Sequence, residues 1–490
     1  MGSAAAAIAL VYLLWHGPET QPRRSSPQPL MVYCAAGLKP VVEAVVQQYE
    51  KEYGIPVQLQ YGGSGTLLSN LKVANRGDLF VAADESYLVM ARSNHLIAES
   101  LPVGQMRLVV AVRKGNPKQI HALSDLLRPD VRLALANPDA AAVGKLGKEL
   151  LQASGDWEAI EKQAKVFKPT VNDLANDVKL GGADVALVWD ATVNLYPDLE
   201  AVRFSPLDRG QQRVALGVLT SSQQPTEALH LARYLTARDR GLREFQRAGY
   251  RVGEGDVWAD KPEVVFYSGG VNRLAVEDTV RRFEEREGVK ITRVYNGCGI
   301  LVSQMKAGQR PDAYLACDVS FMSPVSGLFT NPVEISETDI VILVTKGNPK
   351  QIHSLTDLAQ PGLRLGVANA RQSTLGDLTA KLLQGAQLFD ALMANVKTQT
   401  PTADLLVNQI RTGALDAVVV YKANTSQVRD TLDVVPLSLP GAKAVQPFAV
   451  GSNSEHQLLM ARLREAILSA ESRQRYEALG FQWRGGQSSP

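Results

Sequence analysis

The chain is one sequence written twice. Residues 114–126 read KGNPKQIHALSDL and residues 346–358 read KGNPKQIHSLTDL, differing only at Ala122 against Ser354 and Ser124 against Thr356. The match extends in both directions. YGGSGTLLSNLK from Tyr61 pairs with YNGCGILVSQMK from Tyr295, and GDLFVAADESY from Gly77 pairs with PDAYLACDVSF from Pro311. Further on, GGADVALVWDA from Gly181 pairs with GALDAVVVYKA from Gly413. Such self-similarity constrains the architecture before any residue is given a role, because both copies must fold to one plan. The chain divides into an N-terminal segment, 1–29, a first unit, 30–255, and a second unit, 262–486, with a linker near Gly255 to Glu263. At 490 residues it exceeds what one core organises. Each copy, about 225 residues, is large enough for two lobes, giving four lobes in all.

Within a copy, apolar strands alternate with segments of helical length. MVYCA is a short apolar strand; Val41, Val42, Val45, Val46 and Tyr49 then recur at helical spacing until Gly54, a plausible C-cap. Val57, Leu59 and Tyr61 alternate with Gln58 and Gln60 as in a half-buried strand. LFVAA, LVVAV, VRLALA and DVALVW add further apolar runs. The pattern predicts an α/β fold with mainly parallel sheets, two lobes per unit and a hinge between them.

Composition narrows the function. Fifty-two Lys and Arg against fifty Asp and Glu leave a net charge of +2, too little to draw nucleic acid or a membrane surface by bulk attraction. A charged ligand must therefore be held locally. Cys34, Cys298 and Cys317 show no C-x-x-C spacing, and the six histidines include no i, i+4 pair, so neither a metal site nor a cofactor is expected. There is no G-x-S-x-G elbow, no GKS or GKT loop and no H-E-x-x-H, so no catalytic residue is assigned and the chain is not read as an enzyme. The unbroken apolar run Ala4 to Trp15, followed by a polar, Pro-rich stretch, has the length of a signal-peptide core rather than the roughly 20 residues of a bilayer span. It is read as an export signal or membrane anchor, which places the protein in the periplasm or elsewhere outside the cytoplasm.

In open α/β sheets, ligands sit beyond the carboxyl ends of strands, where the N–H groups at helix starts favour an anion. Two small-residue loops of the first copy fit: Cys34-Ala35-Ala36-Gly37, and Gly62-Gly63-Ser64-Gly65-Thr66. Glycine lets the backbone approach a ligand, and Ser64 can cap its helix or donate to an oxyanion. The same loops are also compatible with plain strand-to-helix turns.

Taken together, VYCAAGLKPVVEAVVQQYEKEYGIPVQLQYGGSGTLLSNLK, GDLFVAADESY and LVVAVRKGNP resemble bacterial periplasmic molybdate-binding proteins and their extracellular solute-binding relatives. The resemblance covers nearly all of both copies. It implies a periplasmic-binding-protein fold in tandem, an oxyanion held by hydroxyls and backbone amides in an interlobe cleft, and an ABC transporter permease as partner. It places Ala36, Gly37, Gly63, Ser64, Val143, Val171 and Trp189 at the first cleft, and Ser268, Gly270, Cys298, Thr374 and Tyr421 at the second. Gly37 stands where the family carries its first serine, and Trp189 where it usually carries tyrosine. Asp190, beside Trp189, would repel an anion unless it points away.

Cys298 stands where Ser64 stands, so either the second cleft binds something else or its role is structural. Cys317 is expected at the end of a core strand, Asp78, Asp84, Asp312 and Asp318 as caps or partners of loop amides or, alternatively, as helpers in coordinating a cation or a metal-assisted ligand, and His121 and His353 at the surface. The chain is thus read as an extracytoplasmic protein that captures a small oxyanion of the molybdate or tungstate kind. The alternatives are uptake of ferric iron or another metal, or a membrane-tethered sensor or scaffold on the same fold.

Overall fold

The computed structural model describes residues 28–488, so the apolar run Ala4–Trp15 lies outside the described residues. The first copy supplies β1 (Leu30–Ala35), β2 (Val57–Gly62), β3 (Leu79–Ala82), β4 (Ile97–Arg113), β5 (Leu133–Ala136), β6 (Val166–Lys168), β7 (Val185–Trp189), β8 (Leu199–Val202), β9 (Gln211–Leu219) and β10 (Arg251–Val252). The second supplies β11 (Glu263–Gly269), β12 (Lys290–Asn296), β13 (Ala313–Leu315), β14 (Phe329–Thr345), β15 (Leu365–Ala368), β16 (Val396–Thr400), β17 (Ala417–Tyr421), β18 (Leu432–Pro436), β19 (Lys443–Gly451) and β20 (Gln482–Ser488). Strand order is β2-β1-β3-β9-β4-β7-β5-β6 in one and β12-β11-β13-β19-β14-β17-β15-β16 in the other. The repeat in the sequence is therefore a repeat of topology.

Each unit has two lobes joined by a long strand. In the first, β4 pairs with β9 up to Arg107 and with β7 from Leu108 onward. The change of partner is marked by the Leu108 amide donating to the Gly210 carbonyl at 2.8 Å. In the second unit, β14 changes from β19 to β17 between Asp339 and Ile340, and the Ile340 amide donates to Ala442 at 2.8 Å. The lobe centres are parallel, β2-β1-β3 and β7-β5-β6, as the strand–helix alternation predicts. The crossing strands β4 and β9 run antiparallel to their neighbours, because a chain that leaves a lobe and returns must reverse direction.

Local sequence explains the elements. All of β3, β5 and β7 is buried, which suits strands covered on both faces by helices. The helix Lys39–Tyr53 begins with a proline in its first turn, buries Val41, Val42, Val45, Val46 and Tyr49, and ends at Gly54 with φ +67°. The nearly identical KGNPKQIH segments are structural loops. Asn116 clamps the main chain of Ile120 through both its side-chain atoms at 2.9 Å, Asn348 clamps Ile352 in the same way, and both asparagines have positive φ. His121 and His353 are exposed there, as expected.

The units meet through their first lobes. The helix Pro225–Thr236 of the first packs against Arg273–Glu287 of the second. At the contact, Glu287 is 1% exposed between two arginines. Arg462 donates to it at 2.6 and 3.0 Å, and Arg233 reaches its carboxylate at 3.1 Å and also donates to its backbone carbonyl. The connecting residues are tied to both sides. Asp256 accepts from the Leu458 and Leu459 amides at 2.8 and 2.9 Å, while Trp258 donates to Tyr53 at 3.0 Å within a cluster containing Tyr49, His230 and Tyr234.

Candidate functional site: the interlobe cleft

Four helix starts converge between the lobes of the first unit. The turn at Ala36–Leu38 follows β1, Ser64–Ala74 follows β2, and from the other lobe come Ala142–Ser154 and Val171–Leu180. They enclose a cavity of about 20 Å³ whose lining includes Ala36, Gly37, Gly63, Ser64, Val143, Val171 and Trp189, together with Ala83, Ala142 and Thr170. The structure thus brings all seven residues of the first predicted set to one place. No charged side chain lines the space. Polarity comes from helix starts, whose unpaired N–H groups carry partial positive charge, and from Ser64. The Ser64 hydroxyl oxygen accepts from the Ala83 amide at 3.2 Å, which leaves its own proton to donate.

The two lobes touch directly at this cavity. Amides of Gly65 and Thr66 donate across it to the Ala140 carbonyl at 2.9 and 3.3 Å, and Asn172 donates to the Ala36 carbonyl at 2.9 Å. Glycine is required where the main chains meet: a Cβ on Gly63 would lie 2.2 Å from the Ala140 oxygen and 2.7 Å from that of Pro169. At Gly37 a Cβ would lie 2.9 Å from Val171 on the facing lobe, so a side chain there would have to push the lobes apart. Outside the cavity, Lys145 forms a latch, donating to Ser86 at 2.7 Å and lying 3.7 Å from Asp84. Asp190 does not face an anion, since its carboxylate accepts from the Arg107 amide at the hinge and from the Ala191 amide, each at 2.9 Å.

The second unit repeats the main chain and changes the side chains. The Gly299 amide donates to the Gln372 carbonyl at 3.1 Å, and a Cβ on Gly297 would meet that oxygen at 2.2 Å. Cys298 and Thr374 open helices, Gly270 opens the turn Gly270–Asn272, and Tyr421 ends β17. Strand register aligns Ser268 with Cys34, inside the strand, where it is fully buried and donates to the Gly269 carbonyl at 3.3 Å. Ser268 therefore belongs to the wall behind the loop. Cys317, read from sequence as a strand-end core residue, lies just past β13 with its sulfur 2.8 Å from that of Cys298. Its place in the cleft was missed, although it stands where the first copy has Ala83, beside the position of Ser64. The latch is missing too, because Asp377 occupies the place of Lys145 and pairs with Lys381 at 2.7 Å.

The four acids Asp78, Asp84, Asp312 and Asp318 hold main chain. Asp78 and Asp312 accept from the Met31 and Val265 amides at 2.8 Å, and Asp84 and Asp318 from Ser86 and Ser320. Among the described residues, no group of three or more His, Cys, Asp or Glu is placed to hold a metal, and no helix is long and apolar enough to cross a membrane.

Two α/β lobes on a crossing-strand hinge, closed over a small cavity of converging helix starts, define a solute-binding protein rather than an enzyme. The chain belongs to the bacterial extracellular solute-binding protein family, whose model matches twice, over residues 30–251 and again over 264–482. Similar curated proteins include one from Haemophilus influenzae named only as a binding protein, 29% identical over 45% of this chain and 90% of that one. The molybdate-binding protein ModA of Mycobacterium tuberculosis is 26% identical over 48% of this chain and 87% of its own length. Among solved structures, the periplasmic molybdate-binding protein of Azotobacter vinelandii is 18% identical over 46% of this chain and 99% of that chain, with a TM-score of 0.41.

Proposed function

We propose that the first unit captures a small tetrahedral oxyanion of the molybdate and tungstate class and presents it to an ABC transporter permease outside the cytoplasm. The observation that carries this reading is the lining of the first cleft, where helix starts and one serine hydroxyl converge with no charged side chain. Dipolar donors of this kind stabilise an anion and offer a ferric ion no carboxylate or imidazole. The names of the relatives point the same way. Segment 1–29 would serve as export signal or anchor.

Calorimetric titration of the full chain with molybdate, tungstate, sulfate, phosphate and ferric citrate tests it. Tight binding of molybdate or tungstate is expected, with Ser64→Ala weakening it by about 1.5 kcal/mol, close to tenfold, as for a hydrogen bond to a charged partner. Silence from every anion together with a response to iron would move the assignment to metal uptake.

A further inference from the structure

The sulfur atoms of Cys298 and Cys317 lie 2.8 Å apart, in the positions held by Ser64 and Ala83 in the first cleft. Both cysteines are buried, at 0% and 5% exposure, and a Cβ on Gly269 would strike both sulfurs. The hydroxyls of Tyr314, Thr374 and Tyr421 are buried around them with no oxygen or nitrogen partner. In the first copy, the equivalent positions are Phe80, Ala142 and Trp189, so dithiol and hydroxyls belong to the second unit alone.

We propose that the second cleft captures a trivalent, thiophilic oxyacid of the arsenous acid type through bonds from its central atom to both sulfurs. Two S–As bonds form and two As–O bonds break. Each departing hydroxyl leaves as water with one thiol proton, no electron is transferred, and arsenic stays trivalent. The acid and its adduct are both neutral, which suits a cleft that would have to desolvate any net charge. The remaining As–OH meets the Thr374 and Tyr421 hydroxyls, which have no other oxygen or nitrogen partner.

The donor set separates this ligand from zinc. Zinc needs four ligands, and among the described residues no group of three or more His, Cys, Asp or Glu is placed to hold a metal, whereas a trivalent oxyacid brings its own third substituent to the two sulfurs. Lobe opening about the β14 hinge would admit the ligand.

The inference rests on the second cleft being a ligand cleft of the same build as the first, and its test is separable from that of the first. The full chain, reduced and freed of reductant, is titrated with sodium arsenite and, independently, with molybdate. One arsenite per chain is expected. Cys298→Ser and Cys317→Ala install the residues that the first copy carries at the same places, so the fold tolerates them. Each should weaken arsenite binding by roughly 100-fold or more, because two-point attachment is lost. Cys34→Ala should leave it unchanged, and molybdate binding should be unaffected by the Cys298 and Cys317 variants. Arsenite binding without molybdate binding would remove the oxyanion reading of the first cleft and leave this one standing. No arsenite binding to reduced protein, binding retained in Cys298→Ser, tighter binding of zinc than of arsenite, or a Cys298–Cys317 disulfide whose reduction yields no arsenite binding would each overturn it.

Discussion

Glu287 joins the two units, and its replacement by glutamine is the most demanding test of how they are held. The carboxylate ends the helix Arg273–Glu287, where the helix dipole disfavours negative charge, and it is enclosed between Arg233 and Arg462. Burial pushes its pKa up, yet the two guanidiniums outweigh that and hold it below the usual carboxylate value. It accepts three charge-assisted bonds, at 2.6, 3.0 and 3.1 Å. Glu287→Gln keeps the shape and removes the charge, leaving two buried arginines without the carboxylate they share. Removing one partner of a buried ionic group costs about 3–5 kcal/mol, roughly a thousandfold in the docking equilibrium. Urea unfolding followed by tryptophan fluorescence should show a transition at lower denaturant, with Trp258 and its Tyr53 and Tyr234 neighbours reporting loss of the contact. Replacing Arg233, Glu287 and Arg462 together by apolar residues of similar volume should recover much of the loss, since desolvation of all three charges is then avoided. A glutamine variant within about 0.5 kcal/mol of the parent would refute the reasoning, because it would show that water or another group already satisfies the arginines.

Gly63→Ala should hold the first cleft open by close to 1 Å, the movement needed to relieve a Cβ 2.2 Å from the Ala140 oxygen. Misplacement of that size costs on the order of 100-fold, so oxyanion affinity should fall by about that factor while the melting temperature barely moves. Lys145→Asp gives the first unit the residue type found at Asp377 and turns attraction to Asp84 into repulsion. Closed-state stability should fall by about 1 kcal/mol, read as a larger radius in solution scattering, and an unchanged radius would show that the latch is idle. Burial lowers the His230 pKa below its usual 6.5. The unfolded chain therefore binds the proton first as pH falls, and the contribution of His230, full above pH 6.5, is lost as pH drops through that window toward the folded value. His230→Phe should flatten the stability profile between about pH 7 and pH 5, and identical profiles would remove His230 from the account.

The fold was legible because its signals are local. Strand alternation at Val57, Leu59 and Tyr61, the helical valines from Val41 to Val46, and the Gly54 cap all lie within a few residues of one another. The first cleft was legible through GGSGT, since a small-residue loop between a strand and a helix restricts what can follow. The contact between units was not. Arg233, Glu287 and Arg462 sit on amphipathic helices far apart in sequence, and each reads as an ordinary surface charge until the helices are docked. Cys317 lies buried at the end of a core strand as expected, but its position opposite Cys298 was not legible, because it joins residues from two different elements.

The distribution of change between the copies bears on whether the second unit is only a spacer. A unit kept as a spacer needs its core and its surface loops, and nothing in that role prevents a Cβ from being added where two lobes must close. Yet Gly63 and Gly65 are matched by Gly297 and Gly299, and at all four a Cβ would lie within 2.2 Å of a carbonyl oxygen on the opposite lobe. The main chain that permits closure is thus kept in both units. The side chains that would meet a ligand have diverged, Ser64 to Cys298, Ala83 to Cys317, Ala142 to Thr374 and Trp189 to Tyr421. Closure retained with a changed lining is what the binding role proposed for the second unit requires, and it is why the two clefts are titrated with different ligands in the same experiment.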